Sequence, residues 1–301
     1  MALPLKELAD IARLPFLVLT PICVGAGAAV ASWRGAPMDA GLLALVLIGA
    51  LAAHVAVNAL NEYGDFKSGL DMETQRTPFS GGSGTLPDRP DLAPLALRLG
   101  LSALALTAVL GLYFFWRRGP GILLAGVPGF ILAATYTPWI LQNRWLTLIA
   151  SGAGFGAMVL GTEFVLSGTY SASGLFAALV VFFLVNNLLL ANQFPDMEAD
   201  RRFGRKNIPI TMGPERAALI MGLFFLLAYA SLAAGIAFGA LPRAAAAGFL
   251  TMPLAWMVWR RVTRDHADMA RLVPALGQNV MLTLITPSLL GLGIMAAKWL
   301  A

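Results

Sequence analysis

The chain has 301 residues, of which 58% are hydrophobic and only 12% charged, with a mean hydropathy of +0.75. A soluble domain carries about 25% charge, so this composition excludes a soluble globular fold and points to an integral membrane protein. The net charge of +5 comes with no nucleic-acid-binding motif, and the single Cys23 excludes an internal disulfide and a cysteine zinc site.

Apolar stretches of about 20 residues cross the hydrocarbon as helices. They predict nine spans, over residues 14–33, 40–60, 95–116, 119–141, 145–168, 172–193, 215–240, 242–260 and 278–299. Leu-, Ala- and Gly-rich runs without polar alternation argue against an outer-membrane barrel. The predicted fold class is therefore an all-α integral membrane protein, nine transmembrane helices in one bundle and one domain over residues 1–301. The first span follows Lys6 and Arg13 with no small-residue cleavage site, so a retained helix is expected.

The second span ends in Asn58-Ala-Leu-Asn61-Glu62-Tyr-Gly-Asp65-Phe-Lys67-Ser-Gly69-Leu-Asp71. His54, Asn58, Asn61 and Asp65 recur at i, i+4, i+7 and i+11, which places them on one helix face. Asp71 lies about 120° out of phase with Asp65. Gly69 is therefore expected to end the helix and return Asp71 from the following loop. That loop, 61–94, contains Arg76-Thr-Pro-Phe-Ser-Gly81-Gly82-Ser-Gly84-Thr-Leu-Pro87. Its length and Gly, Ser and Pro content suit a lid, with a plain flexible linker as the alternative, and it lacks a P-loop ending.

The fifth span carries Glu163, an acid expected to face protein rather than lipid. The sixth ends in Asn192-Gln193-Phe-Pro-Asp196-Met-Glu198-Ala-Asp200, where Asn192, Asp196 and Asp200 repeat at i, i+4 and i+8. Two further long connections follow, 194–214 and 261–277. An acidic cluster and a basic loop thus recur four spans apart, which predicts two pseudo-repeated four-helix units plus a final helix.

Placing the N-terminus in the cytoplasm puts sixteen of the 21 Lys and Arg residues on that side, including both acidic clusters' loops. This predicts a multi-pass protein of the cell inner (cytoplasmic) membrane with the N-terminus and loops 61–94 and 194–214 cytoplasmic. A carboxylate inside a bilayer costs roughly 2.5–3.5 kcal/mol, so two such clusters argue for a shared purpose. Carboxylate and amide oxygens suit Mg2+, which shares its coordination with substrate phosphates. Lys67, Arg76, Arg201 and Arg202 stand nearby in sequence as partners for a diphosphate. Helix-end solvation by headgroup-facing acids would explain either cluster alone, but less readily two with an amide one turn deeper in each.

These residues resemble a family. Asn61-x-x-x-Asp65 with Asp71, the second Asp196-x-x-x-Asp200 and nine spans look like the UbiA superfamily of intramembrane aromatic prenyltransferases, over nearly the whole chain. Tyr136-Thr-Pro through Arg144, Gly152-x-Gly-Phe-Gly156 and Val159-Leu-Gly-Thr162 are most similar to its 1,4-dihydroxy-2-naphthoate branch. The resemblance implies Mg2+-dependent transfer of a prenyl group from an isoprenyl diphosphate to an aromatic small molecule, within membrane lipid and in menaquinone biosynthesis. It implies two Mg2+ ions on Asn61, Glu62, Asp65, Asp71, Asp196 and Asp200. Diphosphate contacts would come from Arg13, Lys67, Arg76, Asn192 and Arg201, and catalytic contributions from Asp65, Asp196, Lys67 and Tyr136. Asn58 and His54 would line the acceptor cavity, although a buried histidine is more often a packing residue. Glu62 departs from the pattern, which usually has Asp there, and the loop around Gly81 is not matched to the naphthoate branch. The acceptor therefore stays open among naphthoate, hydroxybenzoate, homogentisate, a tetrapyrrole and a lipid. A cation-coupled transporter is the rival class, and protein partners are not indicated.

Overall fold

The structure, a computed structural model, describes residues 4–300. Helix α1 (Leu5–Ile11) and a 3-10 turn (Leu14–Val18) lead into α2 (Leu19–Trp33) and α3 (Ala40–Ser68). Short helices α4 (Leu70–Glu73) and α5 (Thr85–Asp88) precede the long α6 (Ala93–Arg118). Then come α7 (Leu123–Thr135), α8 (Arg144–Ser167) and α9 (Ala172–Asn192), followed by short α10 (Met197–Arg202) and α11 (Ile208–Met212). The chain ends with α12 (Pro214–Ala237), a 3-10 segment (Arg243–Thr251), α13 (Met252–Asp265) and α14 (Met269–Leu300).

Among the described residues, seven helices are long and apolar enough to cross a membrane: Leu14–Trp33, Ala40–Ser68, Pro90–Arg118, Arg144–Ser167, Ala172–Asn192, Pro214–Ala237 and Met269–Trp299. The protein is thus a multi-pass membrane protein. The other two predicted spans, 119–141 and 242–260, are built differently. Helix α7 has 13 residues. At 1.5 Å per residue it reaches about 20 Å, short of the ~30 Å hydrocarbon core. The second is divided between a nine-residue 3-10 segment and α13, whose last turns carry Arg260, Arg261 and Arg264. The expected loop 261–277 is mostly helix. The Asp268 carboxylate accepts from the Ala270 amide at 3.1 Å and starts α14 within it.

Local chemistry sets the ends that matter for the site. The Asp39 carboxylate accepts from the Leu42 amide and starts α3. Gly69, at φ 87°, ends that helix. A left-handed residue there costs glycine little, and it stops α3 eight residues beyond the predicted end. Asn143 caps α8 through the Trp145 and Leu146 amides, and Ser171 caps α9 through Gly174.

Packing is close because small residues meet. Gly27 of α2 lies so near α8 that a Cβ there would stand 2.8 Å from Thr162 Cβ. Gly152 and Gly156, one turn apart, turn toward α9, and the Gly152 amide donates to Asn186 Oδ1 at 2.6 Å. In lipid, where apolar helices gain little by associating, such close backbones and interhelical hydrogen bonds hold a bundle together. Helix α2 runs through the middle, against α8, α9 and α14. Helices α3, α6 and α7 stand to one side of α8 and leave a hollow between them.

Candidate active site

Two cavities share a wall. A polar one of about 110 Å³ lies at the ends of α3 and α9. An apolar one of about 750 Å³ runs down between α3, α6, α7 and α8. Arg13, Asn61, Tyr136 and Leu189 line both, so the two adjoin as arms of one chamber. On α3 the apolar arm extends from Asn61 to Val46. Fifteen residues of helix make that about 22 Å.

The polar cavity gathers residues from both acidic clusters: Asn61, Asp65 and Asp71 from the first, and Asn192, Gln193, Asp196 and Asp200 from the second. Asp71 reaches it from α4, after the Gly69 turn. Asp196 sits in the turn after α9, and its carbonyl accepts the Asp200 amide at 2.9 Å. Asp71 Oδ2, Asn192 Oδ1, Gln193 Oε1 and Asp196 Oδ1 are buried and have no hydrogen-bond partner. Unpaired buried oxygens are costly, and here four of them line one small space. Burial, and then the charges of Asp65 and Glu62, push the Asp71 carboxyl up to about 7. Burial and the neighbouring Asp200 do the same to Asp196, also to about 7.

Among the described residues no three carboxylate, histidine or cysteine groups converge tightly enough to hold a metal by themselves. The donors nevertheless fit Mg2+, a hard ion that takes one or two carboxylates and completes its shell with waters and substrate phosphates. Asp71, Asp196 and the Asn192 and Gln193 amide oxygens supply hard donors of that kind.

Arg205 is one of the site residues that the sequence reading missed. Its guanidinium donates to Asp65 and, at 3.1 Å, to Asp200, joining the two clusters across the cavity. Gly204, at φ 74°, turns the chain after α10 and brings Arg205 back over the acids. Helical phase carried on from Asp200 does not foresee that reversal. Asn207 also belongs to the site, donating to Asp200 Oδ2 at 3.1 Å while its own Oδ1 caps α11.

Of the expected diphosphate cations, Arg13 lines the chamber, at the junction of its two arms. Lys67 is exposed and lies 5.9 Å from the centre of the Tyr63 ring. Arg201 pairs with Glu198 at 3.6 Å and Arg202 with Glu73 at 3.2 Å, on the surface. Arg76 is exposed and packs under Gly84. Glu62 is fully buried but faces the Gly-rich loop, accepting from the Ser83 amide at 3.1 Å and from its hydroxyl. Asn58 donates to the Ala12 carbonyl at 2.9 Å, and His54 Nδ1 meets Thr20 Oγ1 at 2.8 Å. Both also line the apolar arm, as does Tyr136. Glu163 is far from the chamber's polar end, paired at 3.2 Å with Arg34 and bonded by the Ser171 hydroxyl.

Residues 18–282 match the UbiA prenyltransferase family. The chain belongs to that family. Similar curated members include the 1,4-dihydroxy-2-naphthoate octaprenyltransferase of Bacillus subtilis (strain 168), 28% identical over 199 residues. That match covers 64% of this chain and 61% of the relative. The Escherichia coli (strain K12) enzyme of the same name is 29% identical over 297 residues, covering 91% and 90%. Among solved UbiA homologues, an apo structure from Aeropyrum pernix K1 has a TM-score of 0.71 at 18% identity, covering 94% of this chain and 98% of that one. A homologue from Archaeoglobus fulgidus bound to DMAPP and Mg2+ has a TM-score of 0.63 at 15% identity, covering 96% and 99%. At these identities the structural likeness establishes a shared fold. As a UbiA family member the chain is a prenyltransferase.

Proposed function

We propose that this protein transfers a prenyl group from an isoprenoid diphosphate to an aromatic acceptor inside the membrane, with 1,4-dihydroxy-2-naphthoate as the acceptor. The observation that carries the reading is the two-armed chamber. Four unpaired buried oxygens lie in its polar arm, and a carbon-lined arm about 22 Å long at 1.5 Å per helical residue continues from it. A molecule with a charged head and a long apolar tail suits this shape. Relatives named for the naphthoate reaction support the acceptor, and the Mg2+ and DMAPP bound to the Archaeoglobus homologue support the donor.

Asp71, Asp196, Asn192 and Gln193 would hold magnesium, with Asn61, Asp65 and Asp200 beside them, and two ions fit the duplicated clusters. Bound there, Mg2+ would supply positive charge to the diphosphate and so ease its departure from the allylic carbon. Arg13 and Arg205 present guanidinium groups to the departing diphosphate. The apolar arm keeps water from the allylic cation. Tyr136, Asn58 and His54 orient the acceptor where the arms meet. A ring carbon of the acceptor then forms the new C–C bond, and the ring recovers its aromaticity by losing a proton.

The topology we favour has nine crossings in two four-helix units plus a final helix, with α7 and the 3-10 segment plus α13 as the two short crossings. The N-terminus and loops 61–94 and 194–214 then lie on the cytoplasmic side of the inner membrane, as the distribution of basic residues favours. The test is turnover in detergent with labelled farnesyl diphosphate, Mg2+ and a panel of aromatic acceptors. A prenylated naphthoate product that disappears with EDTA and in Asp196→Ala supports the reading. Donor that is neither bound nor consumed with any acceptor refutes it.

A further inference from the structure

Glu62 is the one acid of the first cluster that does not line the polar cavity, although its neighbour Asn61 does. It is fully buried, and both of its oxygens are engaged. Oε1 accepts from the Ser83 amide at 3.2 Å and from the Ser83 hydroxyl. Oε2 accepts from the same amide at 3.1 Å and from Arg13 Nη2 at 3.5 Å. A carboxylate so occupied has little left to offer an ion.

What it holds is a wall of the site. Ser80, Gly81 and Gly82, immediately before Ser83, line the polar cavity. Gly82 has φ 76°, and a Cβ there would come within 2.9 Å of Asp71 Oδ1, so the loop backbone lies directly against that carboxylate. Arg13, the second group on Glu62, stands at the junction of the two arms. It has φ 52°, the one non-glycine residue with positive φ among those described, and its buried Nε has no partner. A non-glycine residue in that conformation needs its surroundings to hold it.

We propose that Glu62 is a positioning residue, not a metal ligand: it clamps the Ser80–Ser83 wall and Arg13 around the diphosphate end of the chamber. The length of the side chain matters. Shortening it to Asp withdraws the carboxylate by one C–C bond, about 1.5 Å, and stretches a 3.1 Å contact to about 4.6 Å, beyond hydrogen bonding. Glutamate at this position is thus matched to the Gly-rich loop, and the two features belong together.

The clamp rests on the proposed function only for its consequence, so its test begins without substrate. Hydrogen exchange over residues 77–86 and Mn2+ affinity are measured on purified wild type, Glu62→Asp and Ser83→Ala. A lost hydrogen bond to a buried charge corresponds to about a tenfold or larger shift in local opening. Exchange in the loop should therefore rise about tenfold in both variants, with Mn2+ affinity within about twofold of wild type. In turnover with farnesyl diphosphate, KM for the donor should rise about tenfold while kcat stays within about threefold. General destabilisation would instead lower kcat per mole of protein with KM unmoved. A tenfold loss of Mn2+ affinity in Glu62→Asp with unchanged loop exchange would make Glu62 a ligand and overturn the proposal. Unchanged loop exchange in Ser83→Ala would overturn it as well. Wild type that binds neither Mn2+ nor donor would defeat the functional reading alone, while loop exchange still decides the clamp.

Discussion

Replacing Arg205 by Met should weaken the metal-free protein and strengthen its hold on Mg2+. The guanidinium is 19% exposed and stands between Asp65 and Asp200, whose side chains are 10% and 7% exposed. Removing one partner of a buried ion pair costs about 3–5 kcal/mol, because a charge is left without compensation. Here two carboxylates lose the same cation, so the apparent melting temperature in EDTA should fall well below that of wild type. A divalent ion entering beside Asp65 and Asp200 has to compete with the guanidinium in wild type, but not in the variant. If only 1.4 kcal/mol of that competition is relieved, affinity for Mg2+ rises about tenfold. At 100 times its Kd a ligand stabilises the folded state by about 2.7 kcal/mol, so Mg2+ should recover much of the lost stability. Turnover should still fall, since Arg205 no longer meets the diphosphate. The assay is thermal unfolding in detergent across a Mg2+ titration, beside direct Mn2+ binding. Equal Mg2+ stabilisation of variant and wild type, or weaker Mn2+ binding by the variant, would refute the reasoning.

Three more tests reach other parts of the chamber. Gly126 lines the apolar arm with no atom within 4 Å of a Cβ built there. Gly126→Leu should leave the fold intact and shift the preference toward shorter donors, seen as a larger loss of kcat/KM with geranylgeranyl than with geranyl diphosphate; an equal loss would contradict the tail's placement. Asp71 and Asp196 have carboxyls raised to about 7, so they take up protons in the folded state above the usual carboxylate range. The stability this lends is complete below about pH 4 and is lost as pH rises to 7 and beyond. Metal-free protein should therefore melt lower at pH 8 than at pH 5.5, while Mn2+ affinity, which needs the ionised forms, should rise over the same interval; calorimetric titration at both pH values checks this. Glu163 is buried, paired with Arg34 and close against Gly174, far from the polar arm. Arg34→Ala should lower thermal stability by about 3 kcal/mol, the cost of stranding a buried acid, with KM for the donor unchanged.

Much of the site was legible from helical phase. Asn61 and Asp65 share a face and do line one cavity, and Gly69 does end α3 so that Asp71 returns from beyond it. The same rule sets Lys67 two residues, about 200°, from Asp65, and it points outward. Nearness in sequence favours Lys67 as a diphosphate partner, whereas helical phase sets it away from the acids. Arg205 was harder to see, because a left-handed turn at Gly204 reverses the chain before it. Glu62 was beyond reach, since its partner Ser83 lies 21 residues away in a loop without periodicity. In the fold, apolar length did not distinguish seven long helices from two segments built of shorter pieces. Hydropathy registers neither the shift to 3-10 geometry at Arg243–Thr251 nor the shortness of α7.

The central claim is that the polar arm holds a metal-bound diphosphate and the apolar arm holds its tail. Crystals grown with Mn2+ and a non-hydrolysable farnesyl thiodiphosphate would test it through the anomalous signal of manganese. The account predicts a peak within coordination distance of Asp71 or Asp196, with the farnesyl chain running past Tyr136 toward Gly126. Manganese elsewhere, or a tail lying outside the hollow between α3, α6, α7 and α8, would contradict it.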